Sequence, residues 1–231
     1  MQTRCIILAG GLGTRLAGTL GGLPKCLAPV QGKPFLYWQM SELKNLGISE
    51  FTLALGYGAA LVVDELQRWV SEFGDVDWVV EAEPMGTGGA LCSVMAANKI
   101  EEAIVINGDT MLSGNISPIL APLNISNGEI VRIGMVCVDD RQRFGGIESN
   151  AIGQVVCLLE KRIGGYGMIN AGLYRISSAA FKGEQSKKFS FENSTLQRLC
   201  LQMQLYAVAL DCNFIDIGVP SDYLKFCRKV A

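Results

Sequence analysis

The sequence predicts an α/β fold with a mostly parallel central sheet, flanking helices and a small antiparallel excursion. In the first half, short apolar runs alternate with segments of helical periodicity, the pattern of successive β-α-β units around a buried sheet. The run ending at Ile106 is followed by Asn107-Gly108-Asp109, an acidic turn at the carboxyl end of a strand, where open α/β sheets bind ligands. After about residue 129 the apolar runs lengthen and join through the glycine-rich turn Arg143-Phe144-Gly145-Gly146, as antiparallel strands would.

The elements follow in order. Cys5 to Ala9 reads as the first strand. Pro34 suits a helix start, and Phe35, Trp38, Leu43 and Leu46 recur at helical spacing until Gly47 stops them. A strand at Phe51 to Leu55, a helix at Ala59 to Glu72, a strand at Asp77 to Val80, a helix at Gly89 to Asn98 and a strand at Ala103 to Ile106 complete the alternation. Longer strands are expected at Ile130 to Val138, Gln154 to Leu159 and Met168 to Ile176. A helix at Phe191 to Leu201, a strand at Leu205 to Leu210 and a helix at Pro220 to Val230 close the chain. No linker, repeat or low-complexity tract interrupts the 231 residues, so the expectation is one domain. Its nucleotide-binding half would run to about residue 115 and its sugar-phosphate-binding half from about 116 to 231, an assignment that rests on the resemblance described below.

Composition removes several functions. With no histidine, Ser-His-Asp and Cys-His catalysis and histidine-bearing zinc sites are excluded. Twenty basic against 22 acidic residues, without a basic block, argue against nucleic acid as a partner. The eight cysteines form no C-x-x-C pair and read as small core residues in a reducing compartment. No stretch approaches the roughly 18 apolar residues of a membrane span, and the first apolar run is too short for a signal-peptide core. A cytoplasmic protein without membrane partners is therefore expected.

Gly10-Gly11-Leu12-Gly13-Thr14-Arg15-Leu16 directly follows the first strand, where glycines let backbone N–H groups approach phosphate oxygens. The loop completes neither G-x-G-x-x-G nor a P-loop, which disfavours an NAD-dependent dehydrogenase. With Pro24-Lys25 and Pro29 behind it, this stretch resembles the sugar-phosphate nucleotidyltransferases. The resemblance extends through Gly56-Tyr57, Glu83-Pro84-Met85-Gly86-Thr87-Gly88-Gly89, Asn107-Gly108-Asp109, Glu160-Lys161, Asn170-Ala171-Gly172-Leu173-Tyr174, Phe214-Ile215-Asp216-Ile217-Gly218 and Pro220 to Tyr223. Arg143 to Gly146, Asn170 to Gly172, Ser190-Phe191-Glu192 and Asp216 to Gly218 look most like the short bacterial D-glycero-D-manno-heptose 1-phosphate guanylyltransferases. Cys26 departs from the second proline common in relatives, and Gly146 from a hydroxylic residue.

The resemblance implies a Rossmann-like nucleotidyltransferase fold and Mg²⁺-dependent transfer of a nucleotidyl group from GTP to a sugar 1-phosphate, making a nucleotide-sugar for capsule, lipopolysaccharide or S-layer glycan. A sugar phosphate, with a second pKa of about 6, is already largely dianionic near neutral pH and needs no general base, which suits a chain without histidine. Arg15 and Lys25 would neutralise phosphate charge, with Asp109 as the third catalytic residue. Asp109 and Asp216, each at or near the end of an apolar run, supply hard oxygen ligands that suit Mg²⁺. Leu8, Ala9, Gly10, Gly11, Gly13, Thr14, Glu83 and Gly88 are the expected nucleotide contacts. Gly145, Gly146, Glu160, Lys161, Asn170 and Gly172 are the expected sugar-phosphate contacts.

Guanine presents two adjacent donors on its Watson–Crick edge, which one carboxylate accepts together, so Glu83 points to GTP. A uridylyl- or cytidylyltransferase acting on another sugar or alditol phosphate, and a non-catalytic nucleotide-sugar-binding protein, are the alternatives. The sequence leaves the oligomeric state undetermined, although exposed apolar helix faces would suit a homodimer.

Overall fold

A computed structural model describes residues 3–11, 13–161, 164–184 and 188–230, without the side chains of Thr14, Arg15 and Ala17. The elements are β1 (Cys5–Leu8), α1 (Thr14–Leu20), β2 (Pro29–Val30), β3 (Lys33–Pro34), α2 (Phe35–Asn45), β4 (Glu50–Leu55), α3 (Ala59–Leu66), β5 (Asp75–Val80), α4 (Gly86–Ala97), β6 (Glu102–Asn107), β7 (Thr110–Asn115), α5 (Ser117–Leu120), β8 (Val131–Val138), β9 (Gly146–Ser149), β10 (Val155–Leu159), β11 (Gly167–Ser177), α6 (Gln197–Leu201), β12 (Leu205–Ala209), β13 (Asp211–Asp216) and α7 (Pro220–Val230).

The chain forms two compact units that are interleaved in sequence. The first comprises Met1–Pro84, Ile106–Ser113 and Asn213–Ala231; the second comprises Met85–Val105 and Gly114–Cys212. In the first unit β4 runs parallel to β1 and to β5, with Cys5 opposite Phe51 and Phe51 opposite Val76. Strand β1 is buried, as a parallel strand covered on both faces must be. One apolar cluster joins Leu16 and Leu20 of α1, Phe35 of α2, Met111 of β7, and Tyr223 and Phe226 of α7. The Phe35 and Phe226 rings meet edge to face at 5.2 Å, a geometry set by the ring quadrupoles.

In the second unit β8 lies antiparallel to β11, and β9 and β10 form an antiparallel pair whose Gly146 also faces Ile169 of β11. Strand β12 adds to β8 in parallel, with Leu205 opposite Val131. Parallel strands and an antiparallel excursion are both present, as the sequence predicts.

Several boundaries differ from the expected ones. The helix expected to reach Glu72 ends at Leu66 and resumes only as a 3₁₀ turn at Val70–Glu72. Helix α4 begins at Gly86, three residues before its expected start. The segment expected as one helix from Phe191 opens as a π-helix over Phe191–Leu196, capped by the Ser190 hydroxyl, before α6. The short pair β7 and β13, the strand β9 and helix α1 carry too few apolar residues in regular spacing to stand out in the sequence. Among the described residues no helix is long and apolar enough to cross a membrane.

Candidate active site

In the first unit, the glycine loop leaves the end of β1 and is fastened on one side by β4. Ala9 N–H donates to Ala54 O, and Tyr57 N–H donates to Gly10 O. A Cβ on Gly10 would stand 3.1 Å from Gly56 N, so two backbones touch where side chains would block them. Gly11 is exposed with open space beside it. Gly13 adopts φ +56°, and a Cβ there would press to 3.2 Å on Lys25 Cβ. The loop therefore rests on the Lys25 stem. Pro24 is seated on Gly58, where an added Cβ would lie 2.4 Å from Pro24 Cγ, and Lys25 begins a 3₁₀ turn ending at Leu27.

Lys25 projects to Asp109, donating from Nζ to Oδ2 at 2.6 Å, with both side chains partly buried. Asp109 lies in the turn between β6 and β7. Gly108 N–H donates to Leu8 O, and a Cβ on Gly108 would fall 2.6 Å from that same oxygen, so this position accepts only glycine. The Asp109 carbonyl accepts the Ile217 N–H at 2.9 Å, which brings Asp216 beside Asp109. Asp216 Oδ1 accepts the Gly218 N–H at 2.6 Å. The two residues, 107 positions apart in sequence, thus stand on neighbouring backbone segments, and the Asp109 carboxylate takes the ammonium of Lys25. Among the described residues there is no group of three or more His, Cys, Asp or Glu that could hold a metal alone. A pair of hard oxygen donors fits a cation that takes its remaining ligands from phosphate oxygens and water.

Leu12 and the side chains of Thr14 and Arg15 lie outside the described residues. Glu83 is exposed, whereas Glu81, half-buried, turns toward Gly56 just past β4: its Oε2 would be 3.3 Å from a Cβ there, and its N–H donates to Leu55 O. Glu81 was missed in the sequence, although its place one residue beyond β5, at a strand's carboxyl end, was a usable signal.

The second unit holds the remaining candidates. Gly88 is buried under the Phe189 ring, which would come within 2.2 Å of an added Cβ, and its N–H donates to Phe189 O. Gly146 pairs with Leu159 of β10 and Ile169 of β11, and the Gly145 carbonyl accepts from Asn170 N–H. Those contacts bring Gly145, Gly146, Asn170 and the end of β10 together, with Glu160 and Lys161 exposed just beyond it. Asn170 Nδ2 donates to the Tyr174 hydroxyl at 2.9 Å, that hydroxyl donates to Glu192, and Asn170 Oδ1 accepts from Gly172 N–H. Gly172, at φ +67°, sits where the β8–β11 register shifts between Asn170 and Tyr174, so a bulge requires it.

A glycine loop on a lysine stem, with the Asp109 carboxylate on the ammonium and Asp216 one hydrogen-bonded segment away, has the donors and charges that suit phosphate. The nucleotidyl transferase family matches residues 4–231. The chain belongs to that family. Within it, the nucleotidyl transferase described here is 33% identical over 226 residues to the D-glycero-alpha-D-manno-heptose 1-phosphate guanylyltransferase of Aneurinibacillus thermoaerophilus, covering 97% of each chain. It is 35% identical to the enzyme of the same name from Campylobacter jejuni, covering 96% of this chain and 98% of that one. The crystal structure of HddC from Yersinia pseudotuberculosis complexed with GMP-PN superposes with a TM-score of 0.85 at 34% identity, over 99% of this chain and 100% of that one.

Proposed function

We propose that this nucleotidyl transferase moves a guanylyl group from GTP to D-glycero-α-D-manno-heptose 1-phosphate, giving GDP-heptose and pyrophosphate. The Lys25–Asp109 contact, with Asp216 alongside and Gly13 over the lysine stem, is the observation that carries the chemistry. The near full-length similarity to two heptose 1-phosphate guanylyltransferases supports the choice of substrates. The reaction belongs in the cytoplasm, and its product would feed capsule, lipopolysaccharide or S-layer glycan.

A sugar phosphate oxygen attacks the α-phosphorus of GTP, the new P–O bond forms as the bond to pyrophosphate breaks, and no protein nucleophile intervenes. The attacking phosphate is already largely ionised near neutral pH, so charge and position are what the protein must supply. Arg15 and the loop N–H groups of Gly10, Gly11, Gly13 and Thr14 would hold the β and γ phosphates, with Leu8 and Ala9 anchoring the loop to the sheet, the Ala9 N–H being taken by Ala54 O. Lys25 holds the α-phosphate and the attacking phosphate, exchanging its carboxylate partner for phosphate oxygens as substrates arrive. Asp109 and Asp216 would hold a divalent ion, Mg²⁺ in this reading; enzymes of this family generally use one. Its chemistry would be to neutralise the charge that develops on the α-phosphoryl and leaving pyrophosphate oxygens. Glu160, Lys161, Asn170, Gly145 and Gly146 would receive the sugar phosphate, whereas Gly88 and Gly172 serve packing and a bulge.

A carboxylate that accepts guanine N1–H and the 2-amino group together selects GTP. Glu81 fits that role better than Glu83, because its side chain lies against Gly56, which packs on Gly10, while Glu83 is exposed.

The deciding experiment measures pyrophosphate release with Mg²⁺, offering GTP, UTP, CTP, dTTP and ATP against the heptose phosphate, mannose 1-phosphate and glucose 1-phosphate. Release confined to GTP and the heptose phosphate is expected. Release with a different pair moves the substrates and keeps the mechanism, and no release with any pair favours a binding protein. A homodimer belongs to the same reading; a single species near 24.9 kDa in sedimentation velocity would discard it.

A further inference from the structure

Three carbonyls in the turn from Asn107 to Thr110 accept hydrogen bonds from elsewhere in the first unit, and two of them share one side chain. Gln39, on the buried face of α2 with Phe35, Leu36, Met40 and Leu43, is 1% exposed. Its Nε2 donates to Asn107 O at 2.9 Å and to Thr110 O at 2.6 Å. One carboxamide thus clasps the backbone on both sides of Asp109. Its Oε1 is buried and has no hydrogen-bond partner among the described residues. A buried amide oxygen left without a donor is destabilising, and a leucine or methionine would fill the same stripe without that cost. The amide is therefore retained for what its nitrogen does.

The other described supports of this turn are backbone groups, from Gly108 to Leu8 and from Ile217 to Asp109, and the Lys25 ammonium on the Asp109 carboxylate itself. Gln39 fixes how far residues 107 and 110 spread, and so the backbone from which the Asp109 carboxylate is aimed. Its amide cannot be turned over, because two carbonyls cannot accept from a carbonyl. We propose that Gln39 is a positioning residue that holds the Asp109 carboxylate in the orientation needed to bind the divalent cation with the nucleotide. This rests on the metal role of Asp109 in the preceding section.

The test uses the full chain and two variants. Gln39→Met keeps length and volume while removing both the donor and the orphan oxygen; Gln39→Asn keeps the amide on a stem too short to span both carbonyls. Mn²⁺ binding in the presence of GTP is read by electron paramagnetic resonance, alongside thermal unfolding and the metal dependence of pyrophosphate release. Partners of this kind typically change metal affinity 10–100-fold, so each variant is expected to remain folded and to bind Mn²⁺ at least about 10-fold more weakly. The metal needed for half-maximal rate should rise in parallel, with kcat largely recovered at saturating metal.

Unchanged Mn²⁺ affinity in a folded variant overturns the proposal. So does failure of both variants to fold, which would make Gln39 a core residue only. Wild-type protein that neither binds Mn²⁺ with GTP nor releases pyrophosphate would instead overturn the metal role of Asp109 and Asp216.

Discussion

Asp109 is fixed by its backbone and addressed by Lys25, so its removal should separate function from stability. Asp109→Ala takes away a partly buried carboxylate at a strand end and no core volume. Loss of turnover on the order of 10³-fold is expected, in line with removal of a single charge-stabilising group, with a melting temperature close to wild type. Steady-state pyrophosphate release beside calorimetry checks it, and near-normal turnover would remove the residue from the mechanism. The two glutamates after β5 make a sharper comparison. Glu81→Gln should cost GTP preference over UTP by at least about 10-fold, roughly the 1–3 kcal/mol of one well-placed bidentate pair, while Glu83→Gln leaves the preference intact. The reverse result would restore Glu83 as the base reader.

Among the elements, α4 illustrates what a glycine in a motif can conceal. Gly88 lies in a stretch that resembles a nucleotide-binding motif, yet the Phe189 ring occupies the space its side chain would need. Gly88→Ala should therefore destabilise the protein by about 1–3 kcal/mol through overpacking, visible as a lower urea midpoint with an unchanged m-value. An undiminished midpoint would mean that Phe189 moves aside at no cost. Gly172 is similar, since its φ of +67° belongs to the bulge in β11. Glycine was legible at all these positions. What it is for was not, because close approach to a ligand and close approach to a ring or a strained backbone leave the same letter. Gln39 was not singled out in the sequence, although it falls between Leu36 and Met40 in the apolar stripe of α2, where a polar residue must bond to something buried.

On the scale of the whole molecule, the buried thiols give the fold a pH dependence. Burial raises the Cys5 thiol far above its ordinary 9.0 and Cys26 to about 12, with the Asp109 charge adding a smaller push at Cys26. Between pH 9 and 12 the unfolded chain releases these protons and the folded chain keeps them, so the unfolded state binds fewer protons and stability falls as pH rises. Each thiol contributes a slope of up to about 1.4 kcal/mol per pH unit in that window and nothing below it. Urea unfolding at pH 8 and pH 10 measures the drop, and a Cys26→Ala variant should show a shallower one; identical slopes would show that Cys26 does not titrate in unfolding.

The sequence by itself determined the α/β class, the glycine loop after the first strand, Lys25, and the two acidic strand ends at Asp109 and Asp216. These are local signals, because apolar periodicity, turn glycines and strand termini are written within a few residues of each other. It also carried the family, through ordered motifs spread along the chain. Only the tertiary structure decided that Lys25 meets Asp109 across 84 positions, that Ile217 bonds the segment of Asp216 to Asp109, that Glu81 lies against Gly56 while Glu83 is exposed, and that Gln39 clasps the turn. Each of those facts is a contact between distant segments, set by how strands and helices pack against one another, and no spacing along a chain encodes the direction a side chain takes once its element is buried.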